Sequence, residues 1–138
     1  MNQFKHRYRA AILLIEHDQI LLIRRVRNGR EYYVTPGGGI KKKETPEAAA
    51  VREAREETSL TVRLSGNVWK HIEAGQKNYF FEVFTYFGDL KLDGPERKKM
   101  GPNNQYHLEW VPLKKLPDIP LKPDALKHHL ITDNKAGK

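Results

Sequence analysis

Apolar residues in this chain fall in short runs divided by polar, glycine-bearing or proline-bearing stretches. Tyr8 to Ile15 and Ile20 to Arg25 are rich in Ile and Leu and enclose the polar tetrapeptide Glu16-His17-Asp18-Gln19. That pattern predicts a β-hairpin feeding a sheet. Val26 to Arg30 holds the turn dipeptide Asn28-Gly29. Tyr32 to Thr35 is a short aromatic and β-branched strand, closed by Pro36 and three glycines. Leu60 to Leu64 alternates apolar and polar, as a strand does. Asn67 to Glu73 and Asn78 to Phe87 read as the arms of a second hairpin around Ala74-Gly75-Gln76-Lys77. The second arm is the most aromatic run in the chain and is expected to be a buried central strand. Gly88 to Gln105 is a polar loop carrying Arg97-Lys98-Lys99, and loops of this length in small domains are often functional. Tyr106 to Val111 returns as a strand before Pro112. A passage through Pro117, Pro120 and Pro123 leads to a terminal helix over Asp124 to Ile131, and residues 133–138 are expected to fray.

One stretch departs from the short period. From Thr45 onward the signals are helical: Thr45 suits the N-cap, Pro46 the first helical position and Glu47 the first turn. Ala48 to Glu57 contains strong helix formers and no breaker. At 3.6 residues per turn, Ala50, Val51, Ala54 and Thr58 form a narrow apolar stripe, whose small residues let the helix lie close on a sheet.

Size and charge narrow the function. A chain of 138 residues predicts one domain, over residues 1–132, with no internal repeat. The net charge of +8 favours anionic partners such as phosphates, nucleotides or nucleic acid. The absence of cysteine excludes disulfides, thiolate zinc sites and a cysteine nucleophile. The N-terminal apolar run spans only Ala10 to Ile15, too short for a signal peptide or a membrane span, so a cytoplasmic protein is expected.

The chemistry concentrates in the helix. Spacings of three and four bring Glu53, Glu56 and Glu57 to one face. Carboxylates this close repel one another, and a hard divalent cation resolves the conflict. Few oxygen ligands with water completing the shell suit Mg²⁺, with Mn²⁺ as an alternative. Arg52, one turn before Glu56, is placed to hold that carboxylate by a bidentate pair. Gly37, Gly38 and Gly39 let the backbone come close to a metal or phosphate. The competing account is a solvated acidic helix face neutralised by Arg52 and Arg55, which charge patterns of this kind usually are.

The spacing as a whole decides between them. Gly38, Glu44, Arg52, Glu53, Glu56, Glu57 and Leu60 follow G-x5-E-x7-R-E-U-x-E-E-x-G-U, and this resembles the Nudix box of the Nudix hydrolases. The six fixed matches would arise by chance about once in 10⁷–10⁸ windows. Two positions depart: Ser59 replaces the usual glycine, and Ala54 is a small occupant of an apolar site. The glycine position marks the helix C-terminus, where a left-handed residue is favoured, and serine there carries a stability cost without removing a ligand. Tyr32 to Gly38 and Glu109 to Leu113 with Leu116 resemble the family's flanking regions, so the likeness covers roughly Arg9 to Leu116.

The resemblance implies an α/β fold, an α/β/α sandwich around a mixed sheet. It implies Mg²⁺-dependent hydrolysis of a nucleoside diphosphate linked to another moiety. Glu53, Glu56 and Glu57 match the metal-binding glutamates, with Gly38 and Glu109 as further candidate ligands. Glu44 and Arg52 match supporting positions. Glu53, Glu96 and Glu109 are candidate general bases. Either Arg24 or Arg25 is placed to hold phosphate, since only one can point inward. Tyr32 and Tyr79 are candidates to stack on a base, although aromatic strand residues are more often core. Lys41-Lys42-Lys43 suits mild steering of polyphosphate. Adjacent on a helix, His128 and His129 point apart and do not suggest a metal site. A small nucleotide, first a nucleoside triphosphate, is the favoured substrate. An RNA 5′ end, a non-catalytic nucleotide or RNA sensor, and a homodimer stay open.

Overall fold

The computed structural model describes residues 8–91 and 100–136. The elements are β1 (Tyr8–Leu13), β2 (Ile15–Glu16), β3 (Gln19–Arg27), β4 (Arg30–Val34), β5 (Gly37–Gly39), α1 (Pro46–Thr58), β6 (Thr61–Glu73), β7 (Gln76–Phe87), β8 (Asn104–Pro112), a 3₁₀ segment (Leu113–Asp118) and α2 (Asp124–Ala136). One sheet runs β5-β1-β7-β6 and is mixed, because β1 and β7 are parallel while the other pairs are antiparallel. In the other sheet β2, β4 and β8 all pair antiparallel with β3.

Side-chain alternation along β1 shows the layers. Ala10, Ile12 and Leu14 share a buried cluster with Ala49, Ala50 and Ala54 of α1, together with Leu60, Val62 and Phe81. Ala11 and Leu13 point the other way, into a cluster with Val111, Leu116, Leu121, Leu126 and Leu130. Successive strand residues face opposite sides, so α1 covers one face and α2 the other. This is the expected α/β/α sandwich.

The first hairpin closes only at its tip. Ile15 pairs with Ile20 and Glu16 with Gln19, across His17 and Asp18, which both adopt positive φ. Beyond that tip β1 leaves for the mixed sheet. Both strands are buried on both faces, so their apolar runs specify burial and not a partner. The Asn28-Gly29 turn joins β3 to β4 as its sequence implies, with both residues at positive φ.

The remaining differences are also matters of pairing. The strands expected at 60–64 and 67–73 are one strand, β6, whose register shifts between Leu64 and Val68. Within that irregularity Gly66 has φ 105°, and the Ser65 hydroxyl and the Asn67 side-chain amide both donate to Glu82 Oε1. The turn to β7 is Ala74-Gly75 alone. β7 is interior to its sheet, yet Phe84 and Phe87 are exposed. α2 continues past Ile131 to Ala136. Glu96 and Arg97-Lys98-Lys99 lie outside the described residues. Among the described residues no helix is long and apolar enough to cross a membrane.

Candidate active site

Local sequence fixes the helix that carries the box. Thr45 Oγ1 accepts from the Ala48 amide, and Pro46 occupies the first position. The other end closes at Ser59, whose φ of 67° is left-handed and whose amide donates to the Arg55 carbonyl. The Ser59 hydroxyl donates to the Lys91 carbonyl. The departure from the glycine pattern is thus a strained cap whose hydroxyl bonds a backbone carbonyl and not a carboxylate.

The three helical glutamates occupy different depths. Glu57 is buried and its Oε1 accepts from the Gly37 amide at 2.7 Å. Glu53 lies against Gly38, where an added Cβ would stand 2.5 Å from the Glu53 Cδ. Glu56 is the most open, with 40 % of its side chain exposed. The glycine turn therefore serves the protein's own groups: one amide meets Glu57, and the Gly39 carbonyl accepts from Arg52 Nη2.

Arg52 is the hub, though not as the spacing suggested. Its bidentate partner is Glu44, with Nε and Nη2 donating at 2.7 and 2.9 Å. Nη1 donates to Glu53 at 2.9 Å and reaches Glu56 only at 3.4 Å. A guanidinium fork grips a carboxylate through two parallel bonds, and Glu44, rather than its helical neighbour Glu56, takes both. The Arg52 guanidinium holds Glu44 down from 4.5 to about 2, against burial, which opposes ionisation. Arg52 is in turn raised, first by its hydrogen bond to Glu44.

Among the described residues no three acidic or histidine side chains gather closely enough to hold a metal ion as they stand. The donors nevertheless fit a hard divalent cation in kind. They are carboxylate oxygens on one helix face, bordered by glycines whose missing side chains leave room for Glu53.

The two arginines of β3 separate to opposite faces. Arg24 donates through Nε to Glu109 at 2.6 Å and through Nη1 to Glu31 at 3.1 Å. The Tyr33 hydroxyl donates to the same Glu109. Burial raises the Tyr33 phenol first, and Glu109 and Glu31 add to it. The Glu109 hydrogen bond raises Arg24. The structure does not bring Glu109 to the box. It is opposite Leu22 on the α2 side, while its neighbour Trp110 packs toward α1. Neither the metal role nor the base role proposed for Glu109 finds support in this placement, and the same holds for phosphate binding by Arg24.

Arg25 faces the box. With Tyr32, Tyr106, Arg52, Glu53 and Glu57 it lines a groove of about 520 Å³. Arg25 pairs directly with Tyr32 on β4 and Tyr106 on β8, so the three side chains form one row. The guanidinium carbon stands 3.8 Å from the Tyr106 ring centre and 5.8 Å from that of Tyr32. Nη2 donates to Asn104 Oδ1 at 3.0 Å, whereas Nε is buried with no hydrogen-bond partner. Such an orphan donor costs about 1–3 kcal/mol.

A second cavity of about 600 Å³ adjoins the groove, and Arg9 and Val34 line both. Tyr79 lines this cavity with Phe80, Asn78 and Lys122, and not the groove. Of the three lysines, Lys41 lines the groove. His129 stacks on Trp69 and His128 is exposed. Arg9, Asn104 and Tyr106 were not singled out from sequence. The alternation of Tyr106, Leu108 and Trp110 was readable, but placing Tyr106 beside Arg25 requires the β3–β8 register.

The chain matches the NUDIX domain over residues 5–132. It belongs to the Nudix family. It is a hydrolase of diphosphate bonds, as the box implies. It is 27% identical to a protein of Zymomonas mobilis named RNA pyrophosphohydrolase, over 86% of this chain and 87% of that one. Its fold is shared with the solution structure of the E. coli ORF135 protein, at 19% identity, a TM-score of 0.70 and coverage of 100% and 96% of the two chains. A MutT Nudix hydrolase from Burkholderia pseudomallei has the same fold, at 24% identity and a TM-score of 0.60, over 78% and 84%.

Proposed function

We propose that this Nudix hydrolase is a Mg²⁺-dependent pyrophosphohydrolase of nucleoside triphosphates or related small nucleotides. The observation that carries the reading is the junction at Arg9 and Val34. On one side lies a charged groove with Glu53 and Glu57 of the box, Arg25 and Arg52. On the other lies a cavity lined by Tyr79, Phe80 and Asn78. A polyphosphate fits the first in charge, and a nucleoside fits the second in its mixture of aromatic and amide groups.

Glu53, Glu56 and Glu57 would hold the cation, which when bound neutralises the diphosphate and activates water. Arg25 binds phosphate and Tyr32 borders it. Arg52 and Glu44 keep the carboxylates in register. Of the candidate bases, Glu53 alone among the described residues faces the groove.

The second reading is an RNA 5′-end pyrophosphohydrolase. The name of the Zymomonas mobilis relative and the net charge of +8 favour it. One panel separates the two: nucleoside triphosphates, nucleoside diphosphates linked to other groups, and a 5′-triphosphorylated oligoribonucleotide, each with Mg²⁺ and with a Glu57→Gln control. Turnover of free nucleotides supports the first reading. Turnover of the oligonucleotide alone moves the second ahead. Hydrolysis that persists unchanged in Glu57→Gln removes the metal assignment.

A further inference from the structure

We propose that Tyr106, together with Asn104, is a positioning residue that holds the Arg25 guanidinium in the groove to receive a substrate phosphate. The proposal rests on the groove taking a diphosphate, as argued above.

The two arginines of β3 show the difference between a spent charge and an available one. Arg24 is matched by the carboxylates of Glu109 and Glu31. Arg25 forms no ion pair among the described residues. It is held by the Tyr106 face at 3.8 Å, by the more distant Tyr32 ring and by one neutral amide oxygen of Asn104. A π face attracts a cation without cancelling its charge. The guanidinium is therefore fixed in place and left positive beside the box.

Its buried Nε points to the same conclusion. A guanidinium free to choose its own hydrogen bonds would not shut a donor away without a partner. The stack sets the orientation, and the terminal nitrogens are what a ligand in the groove meets. Asn104 opens β8 and is tied to Gly101 through a reciprocal pair of backbone bonds, so the main chain that carries its side chain is itself anchored.

The test uses GTP with Mg²⁺ as kinetic probe and inorganic tripolyphosphate as calorimetric probe. Tyr106→Leu, which removes the flat face, is expected to raise KM for GTP and Kd for tripolyphosphate about tenfold while kcat changes little. Tyr106→Phe, which keeps the face, restores both. In an Arg25→Ala background, Tyr106→Leu adds nothing further. Thermal melts show that each variant is folded. The proposal is overturned if folded Tyr106→Leu keeps the native constants, if Phe is as impaired as Leu, or if the two single effects add in full. Absence of any nucleotide turnover by the native enzyme would defeat the proposed function instead. The tripolyphosphate arm would still decide the role of Tyr106, and native enzyme that binds no tripolyphosphate and turns over no nucleotide overturns both.

Discussion

The carboxylate of Glu53 stands where a side chain on residue 38 would have to go, 2.5 Å from the position of an added Cβ. The conserving element here is shape. The obstruction is the mobile end of a side chain, so Gly38→Ala displaces Glu53 without unravelling the sheet. Hydrolysis is expected to fall about 10²-fold, with a melting temperature close to native. A large loss of stability in a melting curve would show that Gly38 serves packing instead.

Gly37 is expected to behave in the opposite way. A Cβ there meets the Ala10 carbonyl, the Ala11 Cα and the Ala11 Cβ at 2.5–2.6 Å. These are atoms of an interior strand that cannot swing aside. Gly37→Ala should cost about 1–3 kcal/mol of stability by denaturant titration, whatever its effect on turnover.

Acid should loosen the Glu44–Arg52 pair. Glu44 is depressed in the folded chain from 4.5 to about 2, chiefly by Arg52. Its ionised form therefore favours folding above pH 4.5, and that contribution fades as pH falls from 4.5 toward 2. The contribution is on the order of 1–2 kcal/mol after solvent screening. In EDTA, the stability difference between native enzyme and Glu44→Gln should be full at pH 6 and should shrink steadily below pH 4.5. A difference independent of pH would refute the linkage.

Ser59 sits at φ 67°, where a side chain is strained and glycine is not. Ser59→Gly should stabilise the chain by about 0.5–1 kcal/mol, a rise in Tm of about 2–4 °C. It also loses the hydroxyl bond to the Lys91 carbonyl, which is exposed and contributes little. Turnover should change little, since the Ser59 side chain bonds the Lys91 carbonyl and none of the box carboxylates.

What was legible in the sequence was local. Thr45, Pro46 and the left-handed site at Ser59 delimit α1 because caps act within one turn. The Asn28-Gly29 turn was legible for the same reason. Partner choice was not. The run from Tyr8 to Ile15 is equally apolar on both faces, so nothing in it favoured β7 and β5 over β3. Register set the limits at the site. Glu109 and Trp110 must face opposite ways, but only the pairing of Glu109 with Leu22 assigns the acid to the α2 side. The same register, three residues along each strand, delivered Arg25 to Tyr106. For Arg52 the helical spacing named Glu56, while the better fork geometry came from Glu44 in the preceding loop.

The interruption in β6 bears on the fate of the chain in a crowded solution. This strand forms an outer edge of the mixed sheet, thirteen residues long, with Val68 and Ile72 exposed along it. A straight edge of that length would offer its unpaired amides and carbonyls to a strand of any other molecule. The irregularity between Leu64 and Val68 breaks the edge into two short pieces, and Glu82 pins the break by accepting from Ser65 and Asn67. Among the described residues β6 has a strand partner on one side only, and the deviation from regular pairing shortens the regular edge that another copy could extend.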